Sequence, residues 1–327
     1  MDSLSAFNDS DYRAPISYEL IEVFSWMVPI LFGLMTIIGV AGNSLVIYVI
    51  IRHGQMKTVT NYYIVNLAIT DISFLLFCAP FTATLFYPSP WLFGAFLCKF
   101  VFMMMQVTAT ATCLTLAAMS VDRYKAIVRP LQSLRSRTTN LALSVSIAIW
   151  TASLVSSIPA ILYFNLDDDV ICVEYWPSWR MAYGLYGAIV LYLIPLTVIS
   201  VCYALMLHKL WRRVVPGDVY NDQQNLRHKR RTTKMVLVVV LTFAICWLPV
   251  HVFSMWYRFA QQRFPVNDAT YIFKVISHTL SYANSCCNPF IYAFMGENFR
   301  RYFKKAFPCC FEKNRQGVTS HAANTVT

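Results

Sequence analysis

The chain has 327 residues, of which 57% are hydrophobic and only 13% charged, against about 25% charged in an ordinary soluble domain. A chain of this composition cannot screen its apolar surface from water, which excludes a soluble globular protein. The formal net charge of +11 would attract nucleic acid if the basic residues formed one exposed patch, so their placement along the chain decides their role.

Residues 1–22 are polar and acidic and lack the apolar core of a cleavable signal peptide. They read as an extracellular N-terminal segment, with the sequon Asn8-Asp9-Ser10 as its glycosylation site. A helix crossing hydrocarbon needs roughly 20 mostly apolar residues, because lipid offers no partner for bare backbone groups. Seven runs meet that need: Val23 to Ile51, Tyr62 to Tyr87, Phe96 to Val128, Leu141 to Phe164, Met181 to Leu210, Thr233 to Phe259 and Ala269 to Phe294. The connections are short, so neighbours in sequence pack as neighbours in space. The expected fold is an all-α membrane protein, a seven-transmembrane helix bundle over 23–295. Residues 296–327 form a short cytoplasmic amphipathic eighth helix and a tail.

Lys and Arg placement sets the orientation. One face collects Arg52, Lys57, Lys125, Arg129, Arg135, Arg137, the bases from Lys209 to Lys234, and those from Arg300 to Arg315. This face is cytoplasmic, where anionic inner-leaflet lipid attracts it, and nucleic acid is not indicated. The N-terminus is outside and the protein belongs in the plasma membrane. On the outer side, Cys98 at the start of span three and Cys172 in the loop after span four both meet the oxidising compartment, and they are the expected disulfide. The bridge would hold the acidic loop of Asp167, Asp168, Asp169 and Glu174 over the bundle mouth. The cysteines within spans read as small packing residues.

Polar residues at membrane depth are costly and therefore informative. Asp71 is the one acid deep in a span, with Asn43, Thr112, Asn284, Ser285 and Asn288 at similar depth. Two readings stand side by side. These groups hydrogen-bond helices together, and Asp71, Thr112, Asn284 and Asn288 form an oxygen-rich site for an allosteric sodium ion. No other cofactor or metal is expected.

Ordered motifs run through the spans: Gly42-Asn43, Leu67-Ala68-Ile69-Thr70-Asp71, Asp122-Arg123-Tyr124, Trp150, Pro195 with Tyr203, Phe243 with Cys246-Trp247-Leu248-Pro249, and Asn288-Pro289-Phe290-Ile291-Tyr292. The basic stretch Asn298 to Phe307 ends at Cys309-Cys310. The set resembles the rhodopsin-like (class A) G-protein-coupled receptors. That resemblance implies a receptor, not an enzyme, with a heterotrimeric G protein and arrestin as inner partners. Asp122 would restrain Arg123 by a charge-assisted hydrogen bond until a G-protein segment arrives. Pro249 and Pro289 would act as hinges, Trp247 would pass ligand pressure to Phe243, and Tyr203 and Tyr292 would turn inward in the active state. Cys309 and Cys310 would be palmitoylated beside membrane lipid.

Within the family, Asn43 to Ile50, Met56 to Asn61, Ala111 to Cys113, Ala118 to Arg123 and Pro130 to Arg135 are similar to kisspeptin receptors. Galanin and allatostatin-A receptors are the nearest competitors. Kisspeptin-like identity implies a Gq-type partner and galanin-like identity a Gi-type one. The third inner loop is short and the tail lacks an arginine- and proline-rich stretch, both departures from the vertebrate kisspeptin-receptor pattern. Helical spacing places Trp247 with His251 in span six and Lys274, His278 and Tyr282 in span seven, with Gln106 at matching depth. No acid stands beside Gln106 to meet a small amine, so the pocket suits an extracellular amidated peptide, with the acidic loop suited to its basic residues. A transporter or intramembrane enzyme is the alternative of another class. It finds no paired repeat and no nucleophile beside a base.

Overall fold

A computed structural model describes residues 16–86, 90–167, 171–174, 180–212, 220–260 and 263–306. Asn8, Asp168, Asp169, Cys309 and Cys310 lie outside the described residues.

Span one is helix α1, Tyr18–Arg52. It starts earlier than the apolar run because Glu19 and Glu22 sit in its first turns, where the positive end of the helix dipole favours carboxylates. Span two is α2, Val59–Phe77, continued by α3, Ala79–Thr84. Thr58 caps its inner end by accepting from the Asn61 amide, and Pro80 restarts the helix beyond Cys78. Span three is α4, Gly94–Val128, followed by the inner-loop helix α5, Pro130–Ser136. Span four is α6, Thr139–Ser156, and α7, Ile158–Tyr163, broken at Ser157 ahead of Pro159. A hairpin of β1, Phe164–Asp167, and β2, Ile171–Glu174, follows, with Leu166 opposite Cys172.

Span five joins α8, Arg180–Ala188, to α9, Ile194–Arg212, through a π-helical turn at Ile189–Leu193. Pro195 has no N–H to donate to that turn, and a wider helical turn accommodates the gap. Span six, α10 at Tyr220–Ala260, extends more than three turns beyond the apolar run on its N-terminal, basic side. Span seven is α11, Asp268–Met295, started by a capping box between Asn267 and Thr270. The amphipathic helix α12, Glu297–Ala306, closes the described fold.

Six of the seven spans are apolar enough to cross a membrane on composition alone. Span seven is the exception because Lys274, His278, Asn284, Ser285 and Asn288 dilute its apolar character. Those residues belong to its inner side, while Ile276, Phe290 and Phe294 face outward. The outer surface of the bundle is a belt of residues such as Ile37, Ile147, Ile245 and Leu248, which hydrocarbon would cover.

The motif residues acquire structural reasons. Gly42 lies against span seven, where an added Cβ would fall 3.1 Å from the Pro289 ring. Asn43 donates through Nδ2 to the carbonyls of Gly39 and Ser285, both at 2.9 Å, joining spans one and seven. Trp150 donates to Asn66 Oδ1 at 2.9 Å, and Asn66 donates to Thr115 Oγ1 at 2.7 Å. One amide thereby ties spans two, three and four, as interhelical polar groups do in lipid. On the inner side, α12 packs Phe299 and Tyr302 against the bundle. The Tyr302 ring lies 4.8 Å from that of His53, and its hydroxyl donates to Gln55.

Candidate functional site

Three regions along the bundle axis carry the chemistry. At the mouth, the disulfide between Cys98 and Cys172 forms with its Cα atoms 5.7 Å apart, ordinary disulfide geometry. It fixes the β1–β2 hairpin to the top of span three, and Phe164 stacks on Phe102 at 4.1 Å between ring centroids. Below the hairpin opens a cavity of about 620 Å³, within the range that accepts a drug-sized ligand or a peptide end.

The structure brings Gln106, Glu174, Trp247, His251, Lys274 and His278 onto this one wall system. Gln106 donates weakly to Thr110 Oγ1 at 3.4 Å, so its amide remains available to a ligand. His251 stacks on Tyr192 at 4.3 Å. The Lys274 ammonium lies 5.4 Å above the Phe86 ring, and the buried Nδ1 of His278 has no partner among the described residues. Tyr282 is placed differently from its expected position. It is fully buried beneath the cavity, stacks on Phe74 at 4.5 Å and donates to Thr82 Oγ1 at 2.7 Å, so it supports the floor and does not line the wall. Asp167 is exposed at the edge of the hairpin, off the cavity wall.

Glu174 meets a cation of the chain itself. Arg258 on span six approaches its carboxylate to 3.2 Å, and its guanidinium lies 6.0 Å from the Tyr183 ring centre. A basic group on a ligand would meet Glu174 beside Arg258, and would share its carboxylate or displace that partner. Nothing in the spacing of positions 174 and 258 announced that pairing, because hairpin and helix meet only after folding.

Aromatic contacts lead inward from the floor. Phe74 lies 5.6 Å from Trp247, Trp247 lies 5.8 Å from Phe243, and Phe243 lies 6.1 Å from Tyr192. Span six runs as one helix through Pro249, and span seven does so through Pro289.

The second region is the polar centre. Asn288 donates to Asp71 Oδ2 at 2.8 Å. The other oxygen of Asp71, together with Oδ1 of Asn284 and Oδ1 of Asn288, is buried without a donor among the described residues. Thr112 is buried on span three. Unpartnered oxygens carrying one formal negative charge are the donor chemistry of a hard cation. Among the described residues no group of three or more His, Cys, Asp or Glu side chains supplies a transition-metal site.

The third region is the inner face. Asp122 accepts from Arg123 Nη2 at 2.7 Å, as expected from their adjacency. It also accepts from Arg137 Nε at 2.6 Å and Nη2 at 2.9 Å, and from Thr60 Oγ1 at 3.0 Å. Arg137 lies just beyond α5 and reads in sequence only as one more inner-face cation, so its share in restraining Asp122 went unrecognised. Tyr203 donates to the Thr233 carbonyl at 3.4 Å, and Tyr292 is buried with its hydroxyl unpartnered among the described residues. A cavity of about 300 Å³ between these groups is lined by Arg123, Arg137, Arg231 and Tyr292.

Comparison with known proteins agrees with this layout. The family model described as 7 transmembrane receptor (rhodopsin family) matches residues 42–292. The chain is 46% identical to G-protein coupled receptor 54 of Oreochromis niloticus over 92% of this chain and 83% of that protein. It is 44% identical to the KiSS-1 receptor of Homo sapiens over 88% of this chain and 76% of that protein. It is also similar to galanin receptor 2a of Danio rerio, 39% identical over 90% of this chain and 81% of that protein.

Proposed function

Because this chain belongs to the rhodopsin family of seven-transmembrane receptors, we propose that its outer cavity takes a C-terminally amidated neuropeptide of the kisspeptin type and that its inner face activates a Gq-type heterotrimeric G protein. The family consists of signalling receptors, so the chain is a multi-pass membrane receptor and not an enzyme. The observation that carries the ligand reading is the 42–46% identity to the GPR54 and KiSS-1 receptors over three-quarters or more of their length. The galanin receptors, at 39–40%, support the second reading, a galanin-type peptide acting through a Gi-type protein. An allatostatin-A-type ligand is the remaining form of that alternative.

Gln106, His251, Lys274 and His278 around one cavity offer donors and an imidazole acceptor to a terminal amide. Glu174 joins them as the partner that Arg258 would yield to a basic residue of the peptide. The receptor would sit in the plasma membrane with its N-terminus outside, glycosylated at Asn8. Cys309 and Cys310 would be palmitoylated at the inner leaflet, and arrestin would share the inner face. The test is a parallel calcium and cyclic-nucleotide readout in cells expressing the chain, challenged with amidated kisspeptin, galanin and allatostatin-A peptides. A calcium response to kisspeptin at the lowest concentration is expected. A cyclic-nucleotide response to galanin alone would replace the first reading by the second.

The polar centre is proposed to hold an allosteric sodium ion, bound by Asp71 with Asn284, Asn288 and Thr112, that favours the resting bundle. A ligand selecting one of two states shifts affinity for another by a coupling of roughly 1–3 kcal/mol. Raising sodium should therefore weaken agonist binding by about fivefold or more, and Asp71→Asn should remove the dependence. Agonist affinity that is the same in sodium and in an equal concentration of N-methylglucamine, for the parent receptor, would remove sodium from this site.

A further inference from the structure

The inner end of span six needs a restraint that Arg123 does not provide. From Tyr220 to Ala260 the helix contains a single acid, Asp222, more than two turns before Arg231. Arg123 thus meets no carboxylate near this part of span six, and its guanidinium is turned onto Asp122 of its own helix. A direct tie comes from the opposite direction. Arg231 Nε donates to the carbonyl oxygen of Met295 at 3.0 Å, from span six to span seven.

The acceptor is well suited to that donor. Met295 is the last residue of α11, and the final four carbonyls of a helix have no donor within it. They also carry the negative end of the helix dipole, which favours a cation. The position is rigid as well. Arg300 on α12 donates to the neighbouring Phe294 carbonyl at 2.7 Å. At Gly296 an added Cβ would fall 2.6 Å from the Tyr292 carbonyl oxygen, so only glycine allows the turn there. The donor has little slack, since Nε precedes the guanidinium carbon and reaches less far from the backbone than the terminal nitrogens. A hydrogen bond of this length is lost once its atoms part beyond about 3.5 Å.

We infer that Arg231 is a positioning residue that holds the inner end of span six against the C-terminal carbonyls of span seven in the resting receptor, and that outward movement of span six breaks this bond. The inference rests on the proposed G-protein activation, with Pro249 as the hinge about which span six swings. It assigns the resting restraint to a helix-terminus contact and not to a carboxylate on span six.

The test measures the distance between spectroscopic probes carried by unnatural residues at the exposed positions Arg227 and Asn140, in full-length receptor reconstituted in lipid nanodiscs. Arg231→Met should raise the ligand-free long-distance population roughly three- to tenfold, the net scale of one intramolecular hydrogen bond. Arg231→Lys, which keeps a cationic donor, should recover most of the parent distribution. Arg230→Met, which removes the adjacent exposed charge without the contact, should leave it unchanged. Should Arg231→Met fold poorly, Arg231→Leu gives the same reading, since its side chain has no N–H to donate to the Met295 carbonyl. A parent-like distribution in the Arg231 variant, or an equal shift in Arg230→Met, would overturn the latch. If amidated kisspeptin with purified G protein fails to lengthen the distance in the parent receptor, the switch reading itself fails. If it lengthens the distance there while the Arg231 variant rests as the parent does, only the latch is lost.

Discussion

Replacing Cys172 by alanine should cost the receptor at least about 30-fold in peptide potency, and Cys98→Ala should cost the same. The bridge pins β1–β2 to the top of span three, where Cys98 is fully buried. Cys172, Val173 and Glu174 of β2 line the cavity directly. With the bridge gone, an arriving peptide has to order the hairpin as it binds. Ordering a free segment on binding consumes about 2–5 kcal/mol of interaction energy, and each 1.4 kcal/mol is a factor of about ten in affinity. The two cysteines act as one unit, so the double variant should be no worse than either single one. Radioligand competition at matched surface expression checks this. Parent-like affinity in Cys172→Ala would show that the hairpin holds its place without the bridge.

Asp122→Asn should raise agonist-independent signalling about fivefold or more and lower surface expression. In the parent, one carboxylate answers two guanidiniums, Arg123 and Arg137, with its side chain only 5% exposed. Asparagine keeps an oxygen but removes the charge, leaving two partly buried cations without an anion. Breaking such a buried pair by removing one partner costs roughly 3–5 kcal/mol. The resting state bears that cost, while a state in which Arg123 has turned to a G-protein segment is relieved of it. Arg137→Ala should act in the same direction but less strongly, since the Arg123 contact survives. Inositol phosphate accumulation per surface receptor measures both variants. Basal signalling equal to the parent in Asp122→Asn would mean that the carboxylate does not restrain Arg123.

Both predictions concern residues that stand out in the sequence, yet each depends on partners that do not. Asp122 and Arg123 are adjacent, and an acid beside a cation at a span's inner edge needs no tertiary information to be read as a pair. Arg137 lies fifteen positions away along the chain. It becomes a partner only because α5 turns the chain back beneath span three. The same holds at the mouth, where the disulfide was legible from compartment and the partner of Glu174 was not.

What the sequence determined by itself was the class of fold and the ordered line of family motifs. Apolar runs of span length, the one-sided Lys and Arg, and short motifs at fixed places in the spans are properties of consecutive residues. Lipid forces each such run into a self-satisfied helix whatever its neighbours do. Local sequence therefore settles the element. Span seven shows the edge of this rule, since its polar residues, read alone, weaken the very signal that marks a span.

Only the tertiary structure decided which polar groups meet. Arg231 is one of several cations in a row at the inner end of span six, and helical spacing cannot tell which of them faces a carbonyl on span seven. Arg258 and Glu174 are 84 positions apart, joined by the packing of a hairpin against a helix. Tyr282 shares a helical face with Lys274 and His278, but depth and not face separates a cavity wall from its floor. The 3.6-residue period fixes direction around a helix. Contact between helices depends in addition on their tilt, their translation and the bulk of the side chains between them, which are properties of the assembled bundle.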